Sequence, residues 1–315
     1  MNRILLCLIF SVPCFLSAQF APCVGFPGTT AIGKDSSVFK AWGSGCKASL
    51  GWLDIANKNM GKPTIGDSIS PIGKAGLNGV LSLGDGGEAV LTFDYPISNG
   101  VGPDFAVFEN SFNNTFLELA FVEVSSDGVR YVRFPATSLS DTNVQLDNNA
   151  AMDATKINNL AGKYKANYGT PFDLEELKDS VGLNLKAITH VKIIDVVGSV
   201  NPVYGTRDVH HHLINDPYPT PYPSAGFDLD AVGVIHSEAL GLEEAKIQFS
   251  IFPNPSTGIF MINAPRENRV EVYSVKGENV FQQNFIDSTK VDLTAFPKGM
   301  YFVVVNGVGR KIVVE

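Results

Sequence analysis

The stretch Ile251-Phe252-Pro253-Asn254-Pro255-Ser256-Thr257-Gly258 divides the chain into two textures. Its prolines fix φ and remove two backbone donors, so this segment cannot lie in the middle of a sheet. Asn254 and Ser256-Thr257-Gly258 supply turn chemistry. Downstream come short β-prone runs, Ile259–Ile262, Arg269–Ser274, Asn279–Phe285, Lys290–Leu293, Met300–Val305 and Arg310–Val314. Lys276-Gly277-Glu278-Asn279 reads as a hairpin turn between two of them, and Pro297-Lys298-Gly299 as another turn. Residues 249–315 therefore read as a small all-β unit.

Four ordered blocks inside that unit carry a resemblance. They are Phe252-Pro-Asn-Pro-Ser-Thr-Gly258, Val272-Tyr-Ser-Val-Lys-Gly277, Val291-Asp-Leu-Thr-Ala-Phe-Pro-Lys-Gly-Met-Tyr-Phe302 and Lys311-Ile-Val-Val314. Together they resemble the C-terminal sorting domain of the type IX (Por) secretion system, over about a fifth of the chain. The resemblance implies a small Ig-like β-sandwich with Pro253, Asn254, Pro255, Gly258, Gly277, Gly299 and Tyr301 in its sorting motif. It also implies the type IX machinery as a partner. The chain would be carried across a Gram-negative outer membrane and anchored at the surface or released.

The opposite end of the sequence points to export by itself. Asn2-Arg3 is basic, Ile4 to Phe15 is largely apolar, and Leu16-Ser17-Ala18 offers small residues for cleavage, so residues 1–18 read as a signal peptide. Cys14 follows Pro13 rather than a small residue, which favours cleavage after Ala18 over lipidation. No other stretch is apolar and long enough for a transmembrane helix. Cleavage leaves Cys23 and Cys46, and an even pair in an exported chain reads as a structural disulfide, worth roughly 3 kcal/mol. Two thiols at that spacing lack the companions of a metal site.

A formal charge of −8 argues against nucleic acid or an anionic membrane as a partner. Thirty Gly and eighteen Pro, with 18% charged residues, fit a turn-rich extracellular β protein. The strand pattern lapses through Ser237–Lys246, which sets a linker at 237–248 and a body at 19–236. In the body, Val80–Leu83, Ala89–Phe93, Phe105–Phe108, Leu117–Val124, Val129–Phe134, Ile188–Val197 and Phe227–Ile235 read as strands. Gly84-Asp85-Gly86-Gly87 and Ser126-Asp127-Gly128 read as their turns, and Phe172–Leu177 as a short acidic-started helix. Many strands with little helix predict a jelly-roll-like β-sandwich. The runs Ser82–Gly87, Asp104–Glu109 and Val122–Gly128 resemble galactose-binding-like sandwiches, and more closely a group of uncharacterised exported bacterial surface proteins.

Alternation places some carboxylates on apolar faces. Asp195 shares parity with Val191, Ile193 and Val197, leaving His190 and Lys192 opposite; Asp228 and Asp230 share parity with Val232 and Val234; Glu109 follows Phe105 and Val107. Buried carboxylates need partners. One solution is Ca²⁺, held by Asp104, Glu109, Asp195, Asp228 and Asp230 in one site or two; the others are strand ends facing water, or hydrogen bonds from backbone N–H groups. His210-His211-His212 could offer imidazoles to a transition metal, but its Pro, Asn and Asp neighbours favour a solvated loop. Pro217-Tyr-Pro-Thr-Pro-Tyr-Pro223 is an extended run. Tyr218 and Tyr222 either present their rings to a flat ligand such as a sugar or pack down to pin the loop.

No Gly-x-Ser-x-Gly, His-Glu-x-x-His or phosphate-cradling loop is present. The sequence thus predicts a non-catalytic binding body with a glycan as candidate ligand. The alternatives are a glycan hydrolase using two of the acids, or a structural adhesin.

Overall fold

Alternation in the body resolves into two main antiparallel sheets laid face to face, with a small two-stranded sheet, Thr137–Ser138 and Ile157–Asn158, beside them. The computed structural model describes residues 20–237 and 249–315. The expected signal peptide and nearly all of the linker lie outside the described residues. The chain divides into two compact units, Met1–Leu240 and Gly241–Glu315.

One body sheet runs in the order Ile32–Gly33, Tyr168–Phe172, Phe105–Glu109, Asp228–Val234, Ala41–Trp42, with Leu81–Ser82 also pairing to Asp228–Val234. The other runs Gly45–Ser49, Glu88–Ile97, Ile188–Asp195, Ala120–Ser125, Val132–Arg133. Phe105, Val107, Phe172, Val232 and Val234 from the first meet Ala89, Leu91, Val122, Val124, Val191 and Ile193 from the second in one buried core. Period-two patterning is what allows each sheet to give one face to this core. On the reverse of the first sheet, Ala106, Phe108 and Ala231 are covered by Phe39, Trp42 and Ala75.

The turns form as their residues dictate. Gly84 and Gly86 take positive φ (72° and 71°), and a Cβ at Gly87 would sit 2.0 Å from the Leu83 carbonyl oxygen, so this turn needs glycine. In the Ser126-Asp127-Gly128 hairpin, the Asp127 carboxylate accepts the Val129 and Arg130 N–H groups, each at 2.8 Å. Those bonds hold its carboxyl below the usual range. The expected acidic helix is a 3₁₀ turn, Leu174–Leu177, whose N-cap Asp173 accepts from the Glu175 N–H.

The C-terminal unit is a single curled antiparallel sheet around Phe260, Ile262, Val270, Val272, Val291, Val303 and Ile312. Its runs join where separate strands were expected. Ile259–Ile262 and Arg269–Ser274 belong to one strand, Ile259–Ser274, and Asn279–Phe285 and Lys290–Leu293 to another, Asn279–Asp292. The pair bends instead of ending. Register shifts between Asn263 and Glu267, where Arg266 and Asp287 adopt positive φ and the Arg266 N–H bonds Asp287.

Candidate functional site

Antiparallel order gathers unlike strand ends at one end of the body. Glu109 closes Phe105–Glu109 and lies opposite Leu229, beside Asp228 at the start of its strand. In the facing sheet Asp195 closes Ile188–Asp195 opposite Ala120, and Glu118 stands two residues before that strand begins. Loops add Asp216 and Asp85. All six carboxylates are buried, at 1–8% exposure.

Their charges act on one another. Burial pushes Glu109, Glu118, Asp195 and Asp216 well above the usual carboxylate range. The charges of Glu109, Asp228, Asp216 and Asp195 raise Glu118 further, and those of Asp228 and Asp216 raise Glu109. Burial also pushes Asp228 up to about 6 and Asp85 up to about 7. Among the described residues no Lys, Arg or His pairs with any of the six.

Backbone donors hold at least one oxygen of several of these carboxylates. The Ser111 N–H donates to Glu109 Oε2 at 2.7 Å, and the Leu119 N–H to Asp216 Oδ2 at 2.8 Å. Glu109 Oε1 and Asp216 Oδ1 remain buried without a partner. Asp195 is fully engaged, taking the Gly86 N–H at 2.9 Å and the Phe227 N–H at 2.8 Å. Asp228 accepts the Ser82 hydroxyl, and Asp85 accepts the Ile55 N–H at 2.8 Å. No three Asp, Glu, His or Cys side chains among the described residues stand in a ready-made metal cage.

Of the five acids expected to share a cation, Glu109, Asp195 and Asp228 come together, whereas Asp104 and Asp230 do not. Asp104 immediately precedes the strand that Glu109 ends, and five residues at about 3.4 Å each put roughly 17 Å between them. Its carboxylate instead accepts the Gly100 and Leu174 N–H groups and contacts His236 Nδ1 at 2.8 Å. Asp230 is diverted by a register shift between Leu229 and Ala231 and accepts the Gly76 N–H at 2.8 Å. Sequence reasoning missed Glu118, Asp216 and Asp85. Glu118 carried a signal, as a lone acid between Leu117 and Leu119; Asp216 sits beside Pro217, where alternation says nothing.

Three further expectations meet the structure here. Cys23 and Cys46 are free thiols, not a disulfide. Cys23 packs against the cluster that contains Leu117, Leu119 and Phe121, and Cys46 against the main core, so separate apolar clusters hold them apart. Tyr218 packs down at 9% exposure and donates its hydroxyl to Asp54 at 2.9 Å, while Tyr222 is exposed and its hydroxyl contacts Asn148 at 2.6 Å. His210, His211 and His212 lie in an exposed loop, with the His210 and His212 N–H groups bonded to Asp208.

A raised carboxylate pKa makes stability depend on pH in a definite direction. Above about pH 4 the unfolded chain has released protons that folded Asp85 and Asp228 still bind, so stability falls as pH climbs through about 6–7. Thermal melts in EDTA should show a melting temperature that falls between about pH 4 and pH 7 and levels off above. Asp85→Asn, which keeps an acceptor for Ile55, should recover on the order of 2 kcal/mol of that loss at pH 8. An unchanged pH slope would show that Asp85 is ionised in the folded state throughout.

In the C-terminal unit the sorting-motif residues also have physical roles. Ser250–Phe252 is an edge strand, as the following prolines require. Asn254 clamps this edge to the last strand through the Lys311 carbonyl and the Val313 N–H, both at 3.0 Å. Gly277 takes φ 83° in the turn closed by its N–H to the Ser274 carbonyl. Gly258 lies at φ 103°, Gly299 at φ 149°, and the buried Tyr301 donates its hydroxyl to the Pro297 carbonyl.

The body is thus a β-sandwich with a buried acidic end, and the C-terminal unit is a motif-bearing β module. Residues 250–315 match the family model described as the secretion system C-terminal sorting domain. That tail is a type IX sorting domain and marks the chain as exported cargo, bound for the outer-membrane surface or the extracellular space. No curated protein matches the chain.

Among solved structures, the chain is similar to a biofilm-associated protein BSP domain, with 8% identity over 72% of this chain and 48% of that one, at a TM-score of 0.20. It is also similar to a Ruminococcus gnavus β-glucuronidase in complex with uronic isofagomine, with 6% identity over 94% and 46% of the two chains and a TM-score of 0.23. Bacteroides uniformis β-glucuronidase 3 gives 13% identity over 89% and 34%, also at 0.23. The chain spans less than half of each of these structures. Similarity at that level assigns no function. Among the described residues no helix is long and apolar enough to cross a membrane, which says nothing of strands.

Proposed function

We propose that the body is a non-catalytic binding module displayed outside the cell, and that its ligand is a glycan held on the solvent face of the second sheet. The supporting observation is an open groove of about 640 Å³ there, lined by Gly45, Lys47, Glu88, Thr92, Tyr131, His190 and Lys192 among others. Alternation along Ile188–Asp195 sends Val191 and Ile193 into the core and leaves His190 and Lys192 facing the groove. Lys192 Nζ lies 4.0 Å from the Tyr131 ring centroid. An aromatic ring flanked by charged and hydroxyl groups suits the mixed apolar and polar faces of a sugar.

The groove supports binding over hydrolysis. Its lining carries one carboxylate, Glu88, where glycoside hydrolysis ordinarily uses two. The acids of the buried cluster lie on another part of the body.

The test is a panel of extracellular oligosaccharides titrated against the full exported chain. Binding should weaken about tenfold in Tyr131→Ala and again in Lys192→Ala, a loss of about 1.4 kcal/mol each. Tyr222→Ala should bind as wild type. A panel without binders, or a loss confined to Tyr222→Ala, contradicts the reading. Product release from a bound glycan would favour the hydrolase instead.

A further inference from the structure

We propose that the buried acidic end of the body is a site for a hard divalent cation, Ca²⁺ by its chemistry, with Glu109, Glu118, Asp216 and Asp228 as carboxylate ligands and Asp195 as the brace beside them. This inference is independent of the glycan reading, which concerns a different face.

Three observations carry it. First, acids from both sheets and one loop are brought to the same buried end, with no basic side chain among the described residues to neutralise them. Uncompensated carboxylates inside a protein are costly enough that a counter-charge or protons must be supplied. Second, Glu109 and Asp216 are each anchored by one backbone N–H on one oxygen and leave the other oxygen buried and unpartnered. A hydrogen bond to one oxygen fixes the carboxylate and orients the second, the usual arrangement around a bound metal. Third, Asp195 spends both oxygens on the Gly86 and Phe227 N–H groups, tying the glycine turn and the start of Asp228–Val234 to the same end. Its role is to position these segments.

The donor chemistry selects the ion. Four carboxylates with no thiol or imidazole among them are hard oxygen donors, which suit Ca²⁺ over Zn²⁺ or Cu²⁺. Ca²⁺ accepts six to eight oxygens in flexible geometry, so the side chains can close on it from an arrangement that is not yet a cage. Extracellular modules bind Ca²⁺ with dissociation constants of about 10⁻⁴–10⁻³ M. Such a site would fill once the cargo is outside the cell.

The experiment uses the full chain, stripped with EDTA, dialysed, and melted with added CaCl₂ or MgCl₂. Free Ca²⁺ a hundredfold above its dissociation constant should raise the body's melting temperature by about 5–10 °C, with a smaller response to Mg²⁺. Glu109→Gln and Asp216→Asn keep the backbone hydrogen bond and remove the charge, so in EDTA they should melt no lower than wild type. Each should lose the calcium response. No calcium shift in the wild type overturns the proposal, and so does a shift that survives in both variants. Should either variant fail to fold, direct calcium titration calorimetry on the wild type decides, and absence of binding heat counts against the site.

Discussion

A chain cut after Leu240 will be retained behind the outer membrane, with its exported fraction reduced more than tenfold. The expectation rests on residues 250–315 being a sorting domain that forms its own sheet and its own core. The body has a separate core in a separate compact unit, so removal of the tail should leave its fold intact. Two measurements belong together: the distribution of the protein between cells and medium or surface, and the melting of the truncated protein. Export at normal levels would remove the tail as the address. A truncated protein that melts as the body does in the full chain, yet is retained, gives the predicted result. Asn254→Ala probes the same unit more gently, because it releases both bonds between the proline-rich edge and the last strand.

The second large effect should come from Asp195→Ala. This carboxylate satisfies the Gly86 and Phe227 N–H groups inside the sandwich, and truncation would orphan both. An unsatisfied buried donor costs about 1–3 kcal/mol, partly offset here by removal of a desolvated carboxylate. A net loss of about 3 kcal/mol is expected, or roughly 6–12 °C in melting temperature for a body of this size. Asp195→Asn keeps an acceptor for one donor and should lose about half as much. Melting both variants in EDTA separates this structural role from any cation. Equal stability of Asp195→Ala and wild type would mean that the two N–H groups find other acceptors.

The sandwich was legible because period-two alternation depends only on local sequence. It placed Val191, Ile193 and Asp195 on one face and His190 and Lys192 on the other, as the structure does. The turns were equally local, since Gly84, Gly86 and Gly128 are required by positive φ. What alternation could not supply was which ends meet. Asp104 and Glu109 bracket one strand and so belong to opposite ends, a conclusion open to anyone counting residues along an extended chain. Asp230 was misplaced for a different reason. The register shift after Leu229 interrupts the alternation, and nothing in Asp228-Leu-Asp-Ala-Val232 announces it. Asp216 reaches the cluster from a loop, where position follows from tertiary packing alone. The long bent strands of the tail were read as separate pieces because the bend at Arg266 and Asp287 resembles a turn in sequence.

The chemistry of the acidic end now groups several residues that the chain scatters widely. A cation there would neutralise Glu109 and Glu118 and tie the end of one sheet to the start of the other. It would also steady the segment around Asp216 and Pro217, whose neighbour Tyr218 is already pinned to Asp54. The same end would remain a set of strained, partly protonated acids in a calcium-poor compartment. Stability of the body would then depend on where the chain is.

Anomalous diffraction from crystals of the full chain grown in millimolar CaCl₂ tests this most directly. A peak about 2.3–2.6 Å from oxygens of both Glu109 and Asp216, the ordinary calcium–oxygen range, is the predicted result. Calcium-free density at that end, with the four carboxyl groups hydrogen-bonded to one another, would contradict it.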